Sequence, residues 1–306
     1  MKHLFLVNPA AGKESPERAA ETAARQLERV TGETCEVQIS RQPGDLRALA
    51  EAAGRSGQDL RLYACGGDGT LNEVVTGAAA HPNLAVTCLP MGSGNDFIKQ
   101  FPHPGVFGDM ERYGDTREIA MDLMDCGGKT AVNVCSVGFD ARIGTQIDRY
   151  RRLPLLSGPR AYLASVAVNL IRGVVKPCRV ELPGQEPVDE DMTLACVCNG
   201  SWYGGSFHPV PEADSTDGLL DVLLVKKVSR LTVARVIAAY QKGRYSDYPE
   251  LISHYRTTSV RILTPEKEPV NLDGELILSK DTTITVQPGR LRFFAPKAVW
   301  GAEVKA

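Results

Sequence analysis

The stretch Ala64-Cys65-Gly66-Gly67-Asp68-Gly69-Thr70-Leu71-Asn72-Glu73 sets three glycines and a carboxylate between two apolar runs. Leu60-Arg61-Leu62-Tyr63-Ala64 before them reads as a buried strand, and Leu71 to Ala80 after them reads as a helix. Glycine lets the chain turn sharply and brings bare backbone against a ligand. Backbone N–H groups and a helix N-terminus aimed at one point suit an anionic phosphate. The carboxylate of Asp68 repels phosphate, so the chemistry needs a metal ion or a ribose hydroxyl beside it. No Gly-x-x-x-x-Gly-Lys-Ser/Thr occurs in the chain, which excludes a Walker A loop. Taken alone, the same residues also describe an ordinary strand-to-helix turn with a capping Asp.

Two more polar turns follow apolar runs. Asn8-Pro9-Ala10-Ala11-Gly12-Lys13 follows Lys2 to Val7, and Pro90-Met91-Gly92-Ser93-Gly94-Asn95-Asp96-Phe97 follows Leu84 to Leu89. Acids gather in two later turns, Asp214 with Asp217-Gly218, and Asp273-Gly274-Glu275. On their own these read equally as a solvated turn and a hairpin with two exposed acids. Arg149-Tyr150-Arg151-Arg152 runs into Leu153-Pro154-Leu155-Leu156, which suits an interfacial anchor or a solvated helix end with snorkelling arginines. The five histidines make no ligand pattern and are expected to be structural or exposed.

The elements that must position these turns alternate in the first third. Lys2 to Val7, Thr34 to Ile39, Leu60 to Ala64 and Leu84 to Leu89 read as strands. Ser15-Pro16-Glu17 opens a helix with a cap residue, a proline and an acid, and Gly44-Asp45 opens another that runs to about Ala53. A further helix is expected near Asp96. The β-α-β-α-β-α-β order predicts a doubly wound sheet, where ligands bind beyond the carboxyl ends of strands. The three glycine-bearing turns should therefore converge.

The pattern changes near Met110. Ile119 to Cys126, Gly127-Gly128 and Thr130 to Val137 read as a β-hairpin. A helical interval is expected over 158–172, then strands interrupted once by a helix from Leu231 to Gln241. The fold class is α/β plus β: an N-terminal doubly wound α/β domain, then a mostly antiparallel, β-sandwich-like domain. The domains are placed at 1–115, with the tail 290–306 expected to return to the first, and at 116–289.

The 306 residues carry a formal net charge of −2, without the basic surplus of a dedicated nucleic-acid binder. Eight scattered cysteines fit neither zinc spacing nor a disulfide framework, and read as free thiols in a reducing cytoplasm. The N-terminal apolar run is too short for a signal peptide, and no stretch approaches the length of a membrane span. Membrane contact is therefore expected to be peripheral.

Asn8-Pro9-x-x-Gly12-Lys13, the Gly66 to Glu73 turn and Gly92-Ser93-Gly94-Asn95-Asp96, in this order, resemble the diacylglycerol kinase catalytic family, which includes sphingosine and ceramide kinases and bacterial lipid kinases. Asn133 to Ala141, with Gly138-Phe139-Asp140-Ala141, continues the resemblance. So do Asn199-Gly200 through Asp217-Gly218-Leu219-Leu220-Asp221 and Leu272-Asp273-Gly274-Glu275. The match covers nearly the whole chain and is nearest the small bacterial form, in which no regulatory domain is expected. Ser93 departs from the family's usual Thr but keeps the hydroxyl.

The resemblance implies an ATP- and Mg²⁺-dependent kinase acting on a lipid alcohol, with diacylglycerol the leading substrate and phosphatidic acid the product. The active site is expected in the interdomain cleft. The implied ATP-binding residues are Asn8, Pro9, Ala10, Ala11, Gly12, Ser40, Gly66, Gly67, Asp68, Gly69, Thr70, Leu71, Asn72, Glu73, Ser93, Asn95 and Asp96. Asp68 would also serve the magnesium, and Asp96 would share that load. A second, structural metal falls to Asp214, Asp217 and Leu219. Asp273 or Glu275 takes the proton of the attacking hydroxyl. Lys13, Arg149, Arg151 and Arg152 would meet an anionic membrane, and Lys99 joins the further basic candidates. The reading leaves room for a homodimer. The alternatives are a NAD kinase-like enzyme, which shares the Gly-Gly-Asp-Gly turn, and a non-catalytic nucleotide- or lipid-binding protein.

Overall fold

Apolar runs make three of the first four strands because both of their faces are covered, whereas the Cys35–Ile39 strand, at the sheet edge, alternates polar and apolar residues and is only partly buried. In the computed structural model, which describes residues 2–12, 15–138 and 176–301, these are β1 (Lys2–Val7), β2 (Cys35–Ile39), β3 (Leu60–Gly66) and β4 (Leu84–Pro90). They lie in the order β2-β1-β3-β4, all parallel. Between them run α1 (Pro16–Thr31), α2 (Asp45–Arg55) and α3 (Asp68–Ala78). The chain divides into two compact units. The first takes Met1–Leu123, Ser215–Asp217 and Gln287–Ala306, and the second takes Met124–Asp214 and Gly218–Val286.

Small residues at helical spacing seat α1 on the sheet: Ala20, Ala23, Ala24 and Leu27 are all buried. The helix stops at Gly32, whose φ of 69° suits glycine and whose N–H reaches the Glu28 carbonyl. Beneath it Phe5 stacks on Tyr63 at 4.3 Å, and Phe294 meets Tyr63 edge-on at 5.3 Å. The chain's last strand thus returns to this core, pairing Phe293 with Val86 of β4. The helix expected near Asp96 is a single 3₁₀ turn, Phe97–Gln100. Phe101 precedes a proline and is extended (φ −91°, ψ 145°), so the turn cannot lengthen into a helix.

The second unit is built from antiparallel strands. After β5 (Thr116–Cys126) come β6 (Lys129–Ala131), β7 (Val134–Gly138), β8 (Lys176–Glu181), β9 (Val188–Cys198), β10 (Leu220–Lys226), α4 (Arg230–Tyr240), β11 (Ile252–Thr257), β12 (Ser259–Leu272) and β13 (Glu275–Pro296). Their order is β11-β10-β9-β7-β12-β13, with β8 beside β9 and β12. Strands β9 and β10 are apolar on both faces because each face meets its own core. Ala195, Val197, Val222 and Leu224 pack on one side, while Leu194, Cys196, Leu223 and Val225 pack on the other with Val236 and Tyr240 of α4. The hairpin read as 119–126 with 130–137 is not one continuous pair. Its second arm breaks into β6 and β7 at Val132 and Asn133, whose N–H groups turn to a side chain instead of a strand.

Candidate active site

The three glycine-bearing turns of the first unit touch one another. A Cβ on Gly92 would lie 2.5 Å from the Gly67 Cα, and one on Gly12 would lie 2.8 Å from the Met91 carbonyl oxygen. Only glycine fits at Gly92 without displacing backbone, and Gly12 also sits at φ +73°. The Met91 N–H donates to the Gly66 carbonyl at 2.8 Å, and the Asn8 N–H donates to Cys65 at 3.1 Å. Asn8 braces its own turn, accepting the Ala10 N–H at 3.0 Å and donating to the Thr70 hydroxyl at 3.1 Å. Asn95, at φ 48°, pairs both ends of its amide with the Gly92 backbone at 3.1 and 2.9 Å.

Several implied ligand residues have internal partners. Thr70 is buried behind Gly66, and the Glu73 carboxylate accepts the Gly44 N–H at 3.1 Å. Ser40 is buried, and its N–H donates to the Val7 carbonyl at 2.9 Å. Ser93 and Gly69 are exposed, and no protein atom lies within 4 Å of where a Gly69 Cβ would stand. That open side, at the start of α3, is where a ligand can approach bare backbone.

Asp68 and Asp96 present carboxylate oxygens to the same place. Both Oδ2 atoms lie beside Gly94, 3.1 and 3.7 Å from the position of its absent Cβ. Each Oδ1 has a protein partner: Asp68 accepts the Phe97 N–H at 3.0 Å, and Asp96 meets the Lys99 ammonium at 2.6 Å. Lys99, one of the further basic candidates for a membrane, is thus ion-paired within the site. Among the described residues no group of three His, Cys, Asp or Glu side chains converges as a metal site. Magnesium does not need one, since it keeps several waters and takes one or two carboxylates with hard oxygens. The two acids fit that ion. Cys88 shares a small recess with Asp68, Leu71, Asn95 and Phe97. Burial, then the charge of Asp68, pushes its thiol pKa up, so it stays protonated.

In the second unit Asp273 stands at the tip between β12 and β13 with φ 50°. Its carboxylate accepts three consecutive backbone N–H groups, from Val132, from Asn133 at 3.0 Å and from Val134 at 2.8 Å. Its own N–H returns to the Val134 carbonyl at 3.1 Å. Asn199 supports the same loop by donating its amide to the Val132 carbonyl at 2.7 Å. Gly200 leaves room for the Asn133 side chain, which would sit 2.5 Å from a Cβ there. Glu275 is exposed and ion-paired with Lys129. Sequence reasoning missed this cradle. Its signal was Asn133, a polar residue breaking the apolar run from Thr130 to Val137.

Asp214 and Asp217 lie on the exposed turn before β10, with Gly218 at φ 75°. Between them Ser215 is buried. Its carbonyl accepts the Asp122 N–H at 2.7 Å, and its hydroxyl donates to Gln100 at 3.0 Å. Asp217 belongs with the first unit, whereas Asp214 and Leu219 belong with the second. Lys13, Arg149, Arg151 and Arg152 lie outside the described residues, as do the interval 158–172 and the rest of the segment after Gly138.

The family described as Diacylglycerol kinase catalytic domain matches residues 2–137, and that described as YegS C-terminal NAD kinase beta sandwich-like domain matches residues 133–295. A Mycobacterium tuberculosis (strain ATCC 25618 / H37Rv) protein named diacylglycerol kinase is 28% identical over 299 residues, 95% of this chain and 94% of its own. A Staphylococcus epidermidis protein of the same name is 26% identical and aligns over 98% of this chain and 94% of its own. A crystal structure of a diacylglycerol kinase from Bacillus anthracis str. Sterne shares the fold at a TM-score of 0.72, with 20% identity over 97% of this chain and 98% of that one. With both family descriptions matched in sequence and the glycine turns assembled in the first unit, the chain belongs to the diacylglycerol kinase catalytic family, with a YegS-type C-terminal domain.

Proposed function

We propose that this lipid kinase transfers the γ-phosphoryl group of ATP to the hydroxyl of diacylglycerol, giving phosphatidic acid, and that it uses Mg²⁺. The observation that supports this best is the meeting of Gly12, Gly67 and Gly92, with Asp68 and Asp96 both facing Gly94. Bare backbone and the start of α3 receive phosphate oxygens, and Asn8 and Asn95 hold the turns in shape. Asp68 and Asp96 hold the cation, which when bound offsets the charge of the phosphates and helps align them.

The Asp273-Gly274-Glu275 turn serves the acceptor. Asp273 is anchored by backbone N–H groups that occupy both of its carboxylate oxygens, so the turn is held rigidly and the exposed Glu275 is the acid better placed to face the attacking hydroxyl. The proton leaves that hydroxyl as the O–P bond forms, because a carboxylate is too weak a base to remove it earlier. Asp214, Asp217 and Leu219 are proposed to hold a second, structural cation. Diacylglycerol resides in bilayers, so the enzyme would meet it by peripheral contact at an anionic surface facing the cytoplasm.

The test is labelled ATP with diacylglycerol, ceramide and sphingosine in mixed micelles, and with NAD in solution. Labelled phosphatidic acid that requires Mg²⁺ is the expected result. Label in NAD alone selects the NAD kinase-like alternative, and no transfer to any acceptor overturns the enzymatic reading.

A further inference from the structure

Two hairpin tips of the second unit share one build, and they meet. Strands β5 and β6 are joined by Gly127 and Gly128, at φ 60° and 84°, and β12 and β13 by Asp273 and Gly274, at φ 50° and 97°. Positive φ at both central residues marks the two-residue turn whose twist matches that of its strands. Cys126 pairs with Lys129 across the first turn, and Leu272 pairs with Glu275 across the second. Lys129 and Glu275 thus hold equivalent places, each the first residue after its turn, and their side chains form an ion pair. Both tips have buried roots: Met124, Cys126 and Ala131 of the first and Leu272 of the second belong to one apolar core. Asn271 stiffens the second turn by accepting the Gly274 N–H at 2.8 Å.

The two acids of the second tip are held by different means. Asp273 takes backbone N–H groups of Val132, Asn133 and Val134 on both of its oxygens. Glu275 has no such support. Among the described residues its carboxylate is paired with Lys129 alone, through Oε1, which leaves Oε2 open. With both side chains exposed, an ion pair of this kind adds little to stability. Its consequence is geometric. A glutamate turns about three side-chain bonds, and the ammonium selects the rotamers that keep Oε1 at the neighbouring tip. Because both tips are rooted in one core, the fold sets that direction.

We infer that Lys129 is a positioning residue for the phosphoryl transfer: it holds one oxygen of the Glu275 carboxylate so that the other is presented to the acceptor hydroxyl. The inference rests on the proposed lipid-kinase function, with Glu275 as the acid that takes the proton. In this role the Lys129 ammonium touches neither reactant. A lysine that met the phosphates of ATP would act on nucleotide binding instead, and a merely structural one would act on stability, so the three roles separate by measurement.

Lys129→Met keeps the length of the side chain and removes its charge, whereas Lys129→Arg keeps the charge. In diacylglycerol phosphorylation Lys129→Met should lose roughly tenfold in kcat, a part of the roughly 10²–10⁴-fold that a general base supplies. Its KM for ATP and its Tm should match wild type, and Lys129→Arg should recover most of the lost turnover. Glu275→Gln is the control: once the carboxylate is gone, adding Lys129→Met should change kcat no further. An undiminished loss in that background, or wild-type kcat in Lys129→Met, overturns the positioning role. So does a raised KM for ATP with kcat kept, which puts the ammonium on the phosphates. Wild-type kcat in Glu275→Gln overturns it as well, since that carboxylate then needs no positioning. The pair itself is read without activity, by treating the protein with a water-soluble carbodiimide, which joins a contacting ammonium and carboxylate as an amide. Mass spectrometry should find the peptides of Lys129 and Glu275 linked with loss of one water in wild type, and unlinked in Lys129→Met. No such link in wild type overturns the pair. A wild type that phosphorylates no lipid sinks the functional reading and the positioning role with it, while the cross-link still decides the pair.

Discussion

The carboxylate of Asp273 accepts the backbone N–H of Val134 at 2.8 Å, across 139 positions of sequence. With the bonds from Val132 and Asn133 it closes the gap left where β6 and β7 separate. The turn that carries two acids is therefore held in place by one of them.

Asp273 and Glu275 should consequently fail differently. Asp273→Asn keeps one acceptor oxygen but turns an NH₂ group toward backbone N–H donors. Hydrogen bonds to a charged partner contribute about 1.5–3 kcal/mol each, so urea unfolding should show a loss of that order or more, together with lost turnover. Glu275→Gln changes an exposed side chain and should leave stability within about 0.5 kcal/mol. If Glu275 is the base, its kcat falls by roughly 10²–10⁴-fold. Wild-type stability in Asp273→Asn would remove the anchoring role.

The glycines of the nucleotide turns separate into structural and ligand-facing positions. Gly92→Ala forces a Cβ to 2.5 Å from the Gly67 Cα. It should lower Tm by several degrees and weaken ATP binding together. Gly69→Ala meets no protein atom within 4 Å, so the fold should survive while ATP affinity drops at least tenfold by calorimetry. Unchanged ATP affinity in Gly69→Ala would move the phosphates away from that face.

Asp68→Asn should spare the fold, since an amide oxygen can still accept the Phe97 N–H now made at 3.0 Å. Its turnover should fall most at limiting Mg²⁺ and recover in part at high Mg²⁺. A rate loss independent of Mg²⁺ would place Asp68 away from the cation.

Much of this was legible in residue order. The parallel sheet followed from apolar runs punctuated by glycine turns, because local hydrophobicity and turn chemistry decide such elements. The Phe97–Gln100 turn was overestimated as a helix because the proline after Phe101 was not weighed against the apolar run. Asn133 marks the break in the second arm, but which acid fills it was not legible, since the partners of Asp273 at Val132, Asn133 and Val134 are backbone N–H groups, which every residue but proline carries.

His3, on β1 ahead of the Asn8 to Gly12 turn, gives the last prediction. The ring is fully buried, with Nδ1 3.1 Å from the Tyr63 hydroxyl and Nε2 2.7 Å from Glu33. Burial lowers its pKa below the ordinary 6.5, and outweighs the hydrogen bond and charge of Glu33, which act the other way. The unfolded chain therefore takes up a proton at His3 at a pH where the folded protein does not. Stability from this site is complete above pH 6.5 and is lost as pH falls through the lower folded value. One such proton changes stability by at most about 1.4 kcal/mol per pH unit. Urea midpoints at pH 7.5 and 5.5, for wild type and His3→Gln, isolate it from other groups. Wild type should lose more stability on acidification than the variant, even though the variant starts lower for want of the Glu33 and Tyr63 contacts. Equal acid sensitivity in the two proteins would show that His3 accepts its proton as readily folded as unfolded, with Glu33 fully offsetting burial.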